Sequence, residues 1–340
     1  MALPEHASAG PLPGEITRLP ILILHVHSHC NCRCVMCDIW KRKDHASLSR
    51  ADLDRHRNSL RDLQVEQVVL TGGEPLLHED FASICEFFRK MRIRVTLLTT
   101  GLRLAECADI IAGGVDEIII SLDGPREMHD RIRRVPGAFD RIAQGIAAVR
   151  VLRPELLIAA RCTVQSENHA HLQETVKTAR ELGLCSISFL AVDVSSHAFN
   201  RPLVWPGDRQ QKIALSAAQV TVLQEQLTRL AAARAADRAP VPFIVEGPEK
   251  LLKIVRHFSA QLGEGSFAAP VCNAPWVSAV LELGGTLRPC FFHPVTADAS
   301  NQDLHAALNS ESARSFRQTL DVATDPICSR CVCSLNYVRN

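Results

Sequence analysis

The sequence predicts an α/β fold: a partial (βα)6 TIM-like barrel followed by a small C-terminal unit of a β-hairpin and a helix. Three observations predict it. Six short runs rich in Val, Ile and Leu alternate with helical patterns, and near-continuous apolar strands of this kind build parallel sheets covered on both faces. The unusual polar residues follow directly after those runs, at the strand ends where such folds carry their working groups. Cysteines gather at two places, with Cys30, Cys32, Cys34 and Cys37 near the start and Cys272, Cys290, Cys328, Cys331 and Cys333 near the end.

In chain order, residues 1–18 are rich in Pro, Gly and Ala without periodicity and read as a flexible tail. Strands are expected at Ile21–His27, Gln67–Gly73, Arg94–Thr100, Glu117–Asp123, Leu156–Val164 and Ser186–Val192. Helical patterns fit between them near 49–63, 79–91, 102–112, 138–152 and 168–183. A polar, Pro-containing stretch, Ser195–Asp208, follows the sixth strand, and long helices are expected near 214–235 and 248–262. WVSAVLEL, a GGT turn and LRPCFF then read as a hairpin. The resulting organisation is a barrel over 19–212, a helical linker over 213–265 and a cysteine-bearing unit over 266–340.

Composition narrows the function. With 46% apolar and 22% charged residues the chain buries an ordinary soluble core, and its net charge of +1 gives no electrostatic footprint for nucleic acid or an acidic membrane. The first residues lack a basic stretch and an apolar stretch, so they do not read as a secretory signal, and no apolar run is long enough to span a bilayer. A cytoplasmic protein is expected. There, thirteen cysteines point to metal or redox chemistry rather than disulfides. Cys85, Cys107, Cys162 and Cys185 lie in apolar segments and read as small buried hydrophobes.

Cys30-x3-Cys34-x2-Cys37 sits in a loop after the first strand. Three thiolates this close can hold three irons of a cubane and leave the fourth iron open. A zinc site is the alternative, with His25, His27 and His29 just upstream as candidate ligands. Cys32 lies inside the motif at the wrong spacing and reads as a bystander.

CNCRCVMC, GGEP at Gly72–Pro75 and SLDGPREMHDRIRRVPGAF at Ser121–Phe139 together resemble the radical S-adenosylmethionine (SAM) family. The resemblance covers about residues 20–195 and resumes at the C-terminal cysteines. It implies a SAM-binding [4Fe–4S] cluster on Cys30, Cys34 and Cys37, with SAM chelating the open iron. It further implies reductive cleavage to a 5′-deoxyadenosyl radical and an electron donor of the flavodoxin or ferredoxin type. By the same resemblance Gly72 and Gly73 approach the methionyl group closely, so that a side chain at Gly73 is expected to block cofactor binding, and Glu74 faces its ammonium. Thr100 stands where the family often has Asn and would lie near the ribose. Ser121 and Asp123 would bind ribose hydroxyls or the carboxylate. Arg161, in an apolar strand, needs an anion, either the methionyl carboxylate or a structural partner. Met36, where the family is usually aromatic, would pack on adenine.

Cys272, Cys290, Cys328 and Cys331 supply four thiolates, enough for a closed cubane or a zinc ribbon. Their spacing resembles the twitch subdomain, a short form of the SPASM auxiliary-cluster domain, which implies one auxiliary [4Fe–4S] cluster. Leu335 occupies the place of the further cysteine of the longer form, and Cys333 reads as spare. Relatives with such domains act either on small polar metabolites (sugars, cyclitols, nucleotides) or on ribosomally made peptides. With the first cluster cysteine already at position 30, a small-molecule substrate is expected and a peptide is the alternative. RNA is disfavoured by the absence of a basic stripe. Substrate contacts are expected from His197, Asn200, Arg201 and Trp205 and from His293; no residue of direct catalysis is assigned.

Overall fold

The computed structural model describes residues 14–338, so most of the expected N-terminal tail lies outside the described residues. Gly14–Arg18, expected to be loose, are packed. The amide of Asn309 brackets the backbone of Ile16 on both sides, the Gly14 carbonyl accepts from Arg317, and Ile16 is buried.

The six expected strands are present as β1 (Ile21–His27), β2 (Gln67–Gly72), β3 (Arg94–Thr99), β4 (Glu117–Ser121), β5 (Leu157–Val164) and β6 (Ser186–Ala191). Each pairs in parallel with the next, and the hairpin strands β7 (Ser278–Leu281) and β8 (Thr286–Arg288) and a short β9 (Ala297–Asp298) extend the same sheet in the order β6-β5-β4-β3-β2-β1-β7-β8-β9. β7 runs parallel to β1, with Ile21 opposite Ser278 and Leu24 opposite Leu281, and β8 and β9 return antiparallel. Gly284 and Gly285, with φ of 81° and 92°, make the turn between β7 and β8 in the left-handed region that favours glycine. The expected hairpin therefore continues the barrel sheet instead of forming a sheet of its own.

The two faces of this sheet differ, which the apolar runs did not reveal. Side chains alternate across a strand, and one set, including Leu22, Leu24, Val68, Leu70, Val95, Leu97, Ile118 and Ile120, is fully buried with Phe87 and Phe88 of the helix Phe81–Lys90 in one core. The other set, Ile21, Ile23, Val69, Leu98 and Ile119, is half-buried and lines cavities. Apolar character on both faces thus reflects helices outside and a lined interior.

Three departures from the expected helices lie in the connections that follow β1, β3 and β4. The expected 49–63 helix breaks at His56 into Arg50–Arg55 and Arg57–Asp62, the first opened by a Ser49–Asp52 capping box. The expected 102–112 helix begins only at Ala108, after a turn led by Gly101 at φ 83°. An unexpected helix, Arg126–Arg133, ends at the left-handed Arg134 and delivers Arg133 to the interior. The long helices are Ala217–Ala236 and Pro248–Gln261, and no helix among the described residues is long and apolar enough to cross a membrane.

The ends of β1 and β2 are locked through backbone. Gly73 N–H donates to the His27 carbonyl and Glu74 N–H to that of His29, each at 2.8 Å. A Cβ on Gly73 would overlap the carbonyl oxygens of His29 and Ser28. The space a side chain would take belongs to the cysteine loop itself, which revises the expectation that it belongs to the cofactor. Gly73→Val is therefore expected to displace that loop and to cut iron incorporation at the first cysteine set, measured as iron per chain after anaerobic reconstitution. Full iron content with a selective loss of SAM affinity by calorimetry would favour the original expectation.

Candidate active site

Cys30, Cys34 and Cys37 line one cavity of about 230 Å3 beyond the ends of β1–β5, and none is in a disulfide. Burial pushes the Cys37 thiol up to about 12 and raises that of Cys30. Cys34 is held low, at about 6, by the Cys32 thiol and then the Arg133 guanidinium, whose Nη1 lies 3.6 Å from its sulfur. Ile39 N–H donates to Cys37 Sγ at 3.4 Å. Cys32 is buried outside the cavity lining. A set of soft thiol donors around an enclosed space fits a metal–sulfur group.

Five of the expected cofactor residues, Met36, Gly73, Thr100, Ser121 and Arg161, line the same cavity. Ser121 and Arg161 are register partners on β4 and β5, so their side chains stand side by side. Arg161 Nε donates to Ser188 Oγ at 3.3 Å, and among the described residues no carboxylate comes within 4.0 Å of it. A structural ion pair, the alternative anion for Arg161, is absent there. The Thr100 hydroxyl donates to Asn31 Oδ1 at 3.0 Å, and the Gln165 amide lies 3.7 Å from Met36 Sδ. Gly72, at φ 134°, lines the adjoining cavity.

Glu74 and Asp123 behave differently from expectation, because their oxygens are taken by the protein. Fully buried Glu74 accepts from Leu76 N–H at 3.0 Å, the Thr99 hydroxyl at 2.7 Å and Thr100 N–H at 2.7 Å. It is a brace between the β2 and β3 loops. Asp123, equally buried, pairs with Arg133 at 2.7 Å and accepts from Thr163 N–H at 3.0 Å. Sequence reasoning missed Arg133. The available signal was a carboxylate closing an apolar strand, which requires a cation when buried.

The C-terminal cysteines form a second chamber. Cys272, Cys290, Cys328 and Cys331 line a cavity of about 250 Å3 together with Ile21, Ile23, Val69 and Leu98 of the sheet interior. Asp325 caps the helix Pro326–Ser329, accepting from Ile327 and Cys328 N–H at 2.9 and 2.8 Å, and so orients Cys328. Asn273 ties the segment after Cys272 to the chain end through Leu335 and Tyr337. Burial pushes the Cys328 thiol up to about 12 and raises Cys331. Cys333, read as spare, lines this chamber and the central cavity as well. Cys185, read as buried, is exposed.

A central cavity of about 550 Å3 adjoins both chambers, sharing Thr71 and Gly73 with the first and Phe291 and Phe292 with the second. His197, Asn200 and Arg201 line it, with Phe199, Phe291, Phe292, Arg42 and the Glu282–Arg288 ion pair (2.9 Å). His25 also faces it, and burial lowers its pKa to about 4, leaving a neutral imidazole. Arg201 and Trp205 are chiefly structural: Arg201 pairs with Asp193 at 2.6 Å, and the Trp205 indole donates to Asp38 at 2.7 Å beside the Arg209–Asp38 pair. His293 is buried against Cys328 and lines the C-terminal chamber, not the central cavity. Leu98 and Arg161 line all three spaces.

The Asp123–Arg133 pair gives a direct test. Arg133→Leu leaves a buried carboxylate unpaired and is expected to cost about 3–5 kcal/mol, read as a lowered unfolding midpoint with loss of iron at the first site. Adding Asp123→Asn should recover part of that midpoint. No recovery would mean that the pair is not the interaction lost.

Residues 24–182 match the radical SAM superfamily, and residues 272–332 match an iron–sulfur cluster-binding domain, SPASM. An AdoMet-dependent heme synthase of Methanosarcina barkeri is 34% identical over 119 residues, 34% of this chain and 34% of the relative. A PqqA peptide cyclase of Ruegeria pomeroyi is 26% identical over 234 residues, 67% of this chain and 55% of the relative. The chain thus spans between a third and just over half of the length of these curated relatives. The structure of Streptococcus suis SuiB bound to precursor peptide SuiA shares the fold, with a TM-score of 0.66 at 15% identity over 94% of this chain and 71% of that one. These domains imply a SAM-binding [4Fe–4S] cluster and an auxiliary one. The chain thus carries a radical SAM domain over residues 24–182 and a SPASM iron–sulfur cluster-binding domain over residues 272–332.

Proposed function

We propose that this radical SAM enzyme removes hydrogen from a polar small molecule held in the central cavity and oxidises it toward the C-terminal cysteine chamber. The observation that carries the reading is the adjacency of the three spaces, all of which Arg161 and Leu98 line. Cys30, Cys34 and Cys37 would hold the SAM-binding cluster, which when bound supplies reductive cleavage of SAM to a 5′-deoxyadenosyl radical; Cys272, Cys290, Cys328 and Cys331 would hold the auxiliary cluster. Arg161 and Ser121 would bind the methionyl carboxylate as paired donors. Met36 would pack against adenine, and Gly73 holds the cysteine loop in place. Glu74 and Asp123 act behind this lining, fixing the loops.

The central cavity has the size of a small-ligand site, and aromatic rings line it beside a few polar groups. Neutral His25 and the Glu282–Arg288 pair can exchange hydrogen bonds with hydroxyls, while Phe199 and Phe291 pack on carbon faces and exclude water. That combination supports a sugar, cyclitol or nucleotide substrate. Oxygen-sensitive clusters suit the reducing cytoplasm, with an electron donor of the flavodoxin or ferredoxin class. A peptide substrate is the second reading, favoured by the match to a peptide cyclase over 67% of this chain and by the fold shared with a protein solved with a precursor peptide.

Reconstituted protein is expected to hold about eight irons, two four-iron cubanes. Replacing Cys30, Cys34 and Cys37 with Ala should halve the iron and abolish 5′-deoxyadenosine formation; intact activity would sink the first assignment. Replacing Cys328 and Cys331 with Ala should leave 5′-deoxyadenosine formation in place and stop product. Normal product from a well-folded variant would make the second cluster structural. The substrate classes separate by deuterium: transfer into 5′-deoxyadenosine from a labelled peptide, and from no metabolite fraction, would replace the small-molecule reading.

A further inference from the structure

We propose that His293 is a positioning residue of the auxiliary cluster, donating a hydrogen bond from its imidazole N–H to the Cys328 sulfur and raising the cluster's reduction potential. This rests on the reading that the C-terminal cysteines hold that cluster. His293 is 3% exposed, and its Nε2 lies 3.2 Å from Cys328 Sγ and 3.6 Å from Asp325 Oδ1. A cluster-bound Cys328 is a thiolate, so both neighbours of Nε2 are acceptors and the proton belongs on that nitrogen. The ring is held edge-on to Phe316 at a centroid distance of 4.9 Å. The His293 carbonyl accepts from Arg288 at 3.1 Å, anchoring the residue to β8.

The separation argues against His293 as an iron ligand. Ligand atoms on two corners of a cubane stand farther apart than a hydrogen-bonded pair, so 3.2 Å cannot accommodate both on neighbouring irons. Two ligands of one zinc ion, with bonds of about 2.0–2.3 Å, do lie roughly 3.5 Å apart. Zinc on His293, Asp325 and Cys328, whose ligand atoms all fall within 4.8 Å of one another, is therefore the competing arrangement. A hydrogen bond to a cluster thiolate withdraws charge from the sulfur and favours the more negative, reduced state. The cluster takes up one electron; no bond forms or breaks at His293, and its proton stays on Nε2. The donor would thus favour this chamber as the place to which a substrate radical gives its electron.

The test uses the full-length chain with Cys30→Ala, Cys34→Ala and Cys37→Ala, which leaves the auxiliary cluster as the sole iron–sulfur reporter. Its midpoint potential is read by redox titration followed by electron paramagnetic resonance. His293→Leu is expected to lower the equilibrium constant for one-electron reduction roughly tenfold, about 59 mV, while His293→Gln, which keeps an N–H donor, stays nearer the parent. An unchanged potential in His293→Leu with full iron overturns the proposal. Labelling histidine with 15N in the unsubstituted, reduced protein gives a readout free of any folding defect, and weak nitrogen coupling to the auxiliary cluster is expected. Coupling as strong as direct ligation, zinc replacing iron in the chamber, or no nitrogen coupling at all each overturns it. Only four irons per unsubstituted chain, with no zinc bound, would instead sink the reading of the C-terminal cysteines and carry this proposal with it.

Discussion

Parallel hydrogen bonding between Ile21–Leu24 and Ser278–Leu281 brings together parts of the chain more than 250 residues apart in sequence. A parallel neighbour cannot be reached by a tight turn, so the chain must pass through the long helices Ala217–Ala236 and Pro248–Gln261 before it can lie beside β1. The pairing does two things at once. It covers the edge of β1, which otherwise offers unpaired backbone groups to other chains. It also brings Cys272 and Cys290 against the sheet interior, because they flank the hairpin strands on either side. β1 therefore leads into the first cysteine loop and also aligns the second cysteine set.

Around that strand, charge is managed by pairing within the protein. Asp123 with Arg133, Asp193 with Arg201, and Asp38 with Arg209 and Trp205 are buried or half-buried sets that fix the loops around the first cysteine site. Each satisfies a polar group that would be costly alone. Arg161 stands apart as a guanidinium on the cavity wall without a carboxylate partner among the described residues. With Arg133 of the same lining already paired to Asp123, it is the group there most able to attract an anion.

Strand positions and both cysteine sets were legible because periodicity and spacing are local properties. ILILHVH or GGEP carries its meaning within a few residues. What depended on distant partners was not legible. Glu74 and Asp123 looked like ligand-binding carboxylates until Thr99, Thr100, Thr163 and Arg133 were seen to occupy their oxygens. Arg201 and Trp205 sat in a promising polar stretch and His293 beside a hairpin cysteine, yet each is buried against a residue at least eight positions away. Gly73 was legible as a close approach, though what approaches is its own neighbouring loop.

The half-buried inner face has a thermodynamic consequence. Ile21, Ile23, Val69, Leu98 and Ile119 gain less from folding than their counterparts on the outer face, because part of their apolar surface stays accessible to the cavities. Anything that binds this interior and not the unfolded chain adds its binding free energy to the folded state. Conformational stability and loading are thus coupled quantities in this protein. Its melting temperature is a measure of occupancy as much as of sequence, and chain made faster than it is loaded is the fraction most exposed to proteolysis.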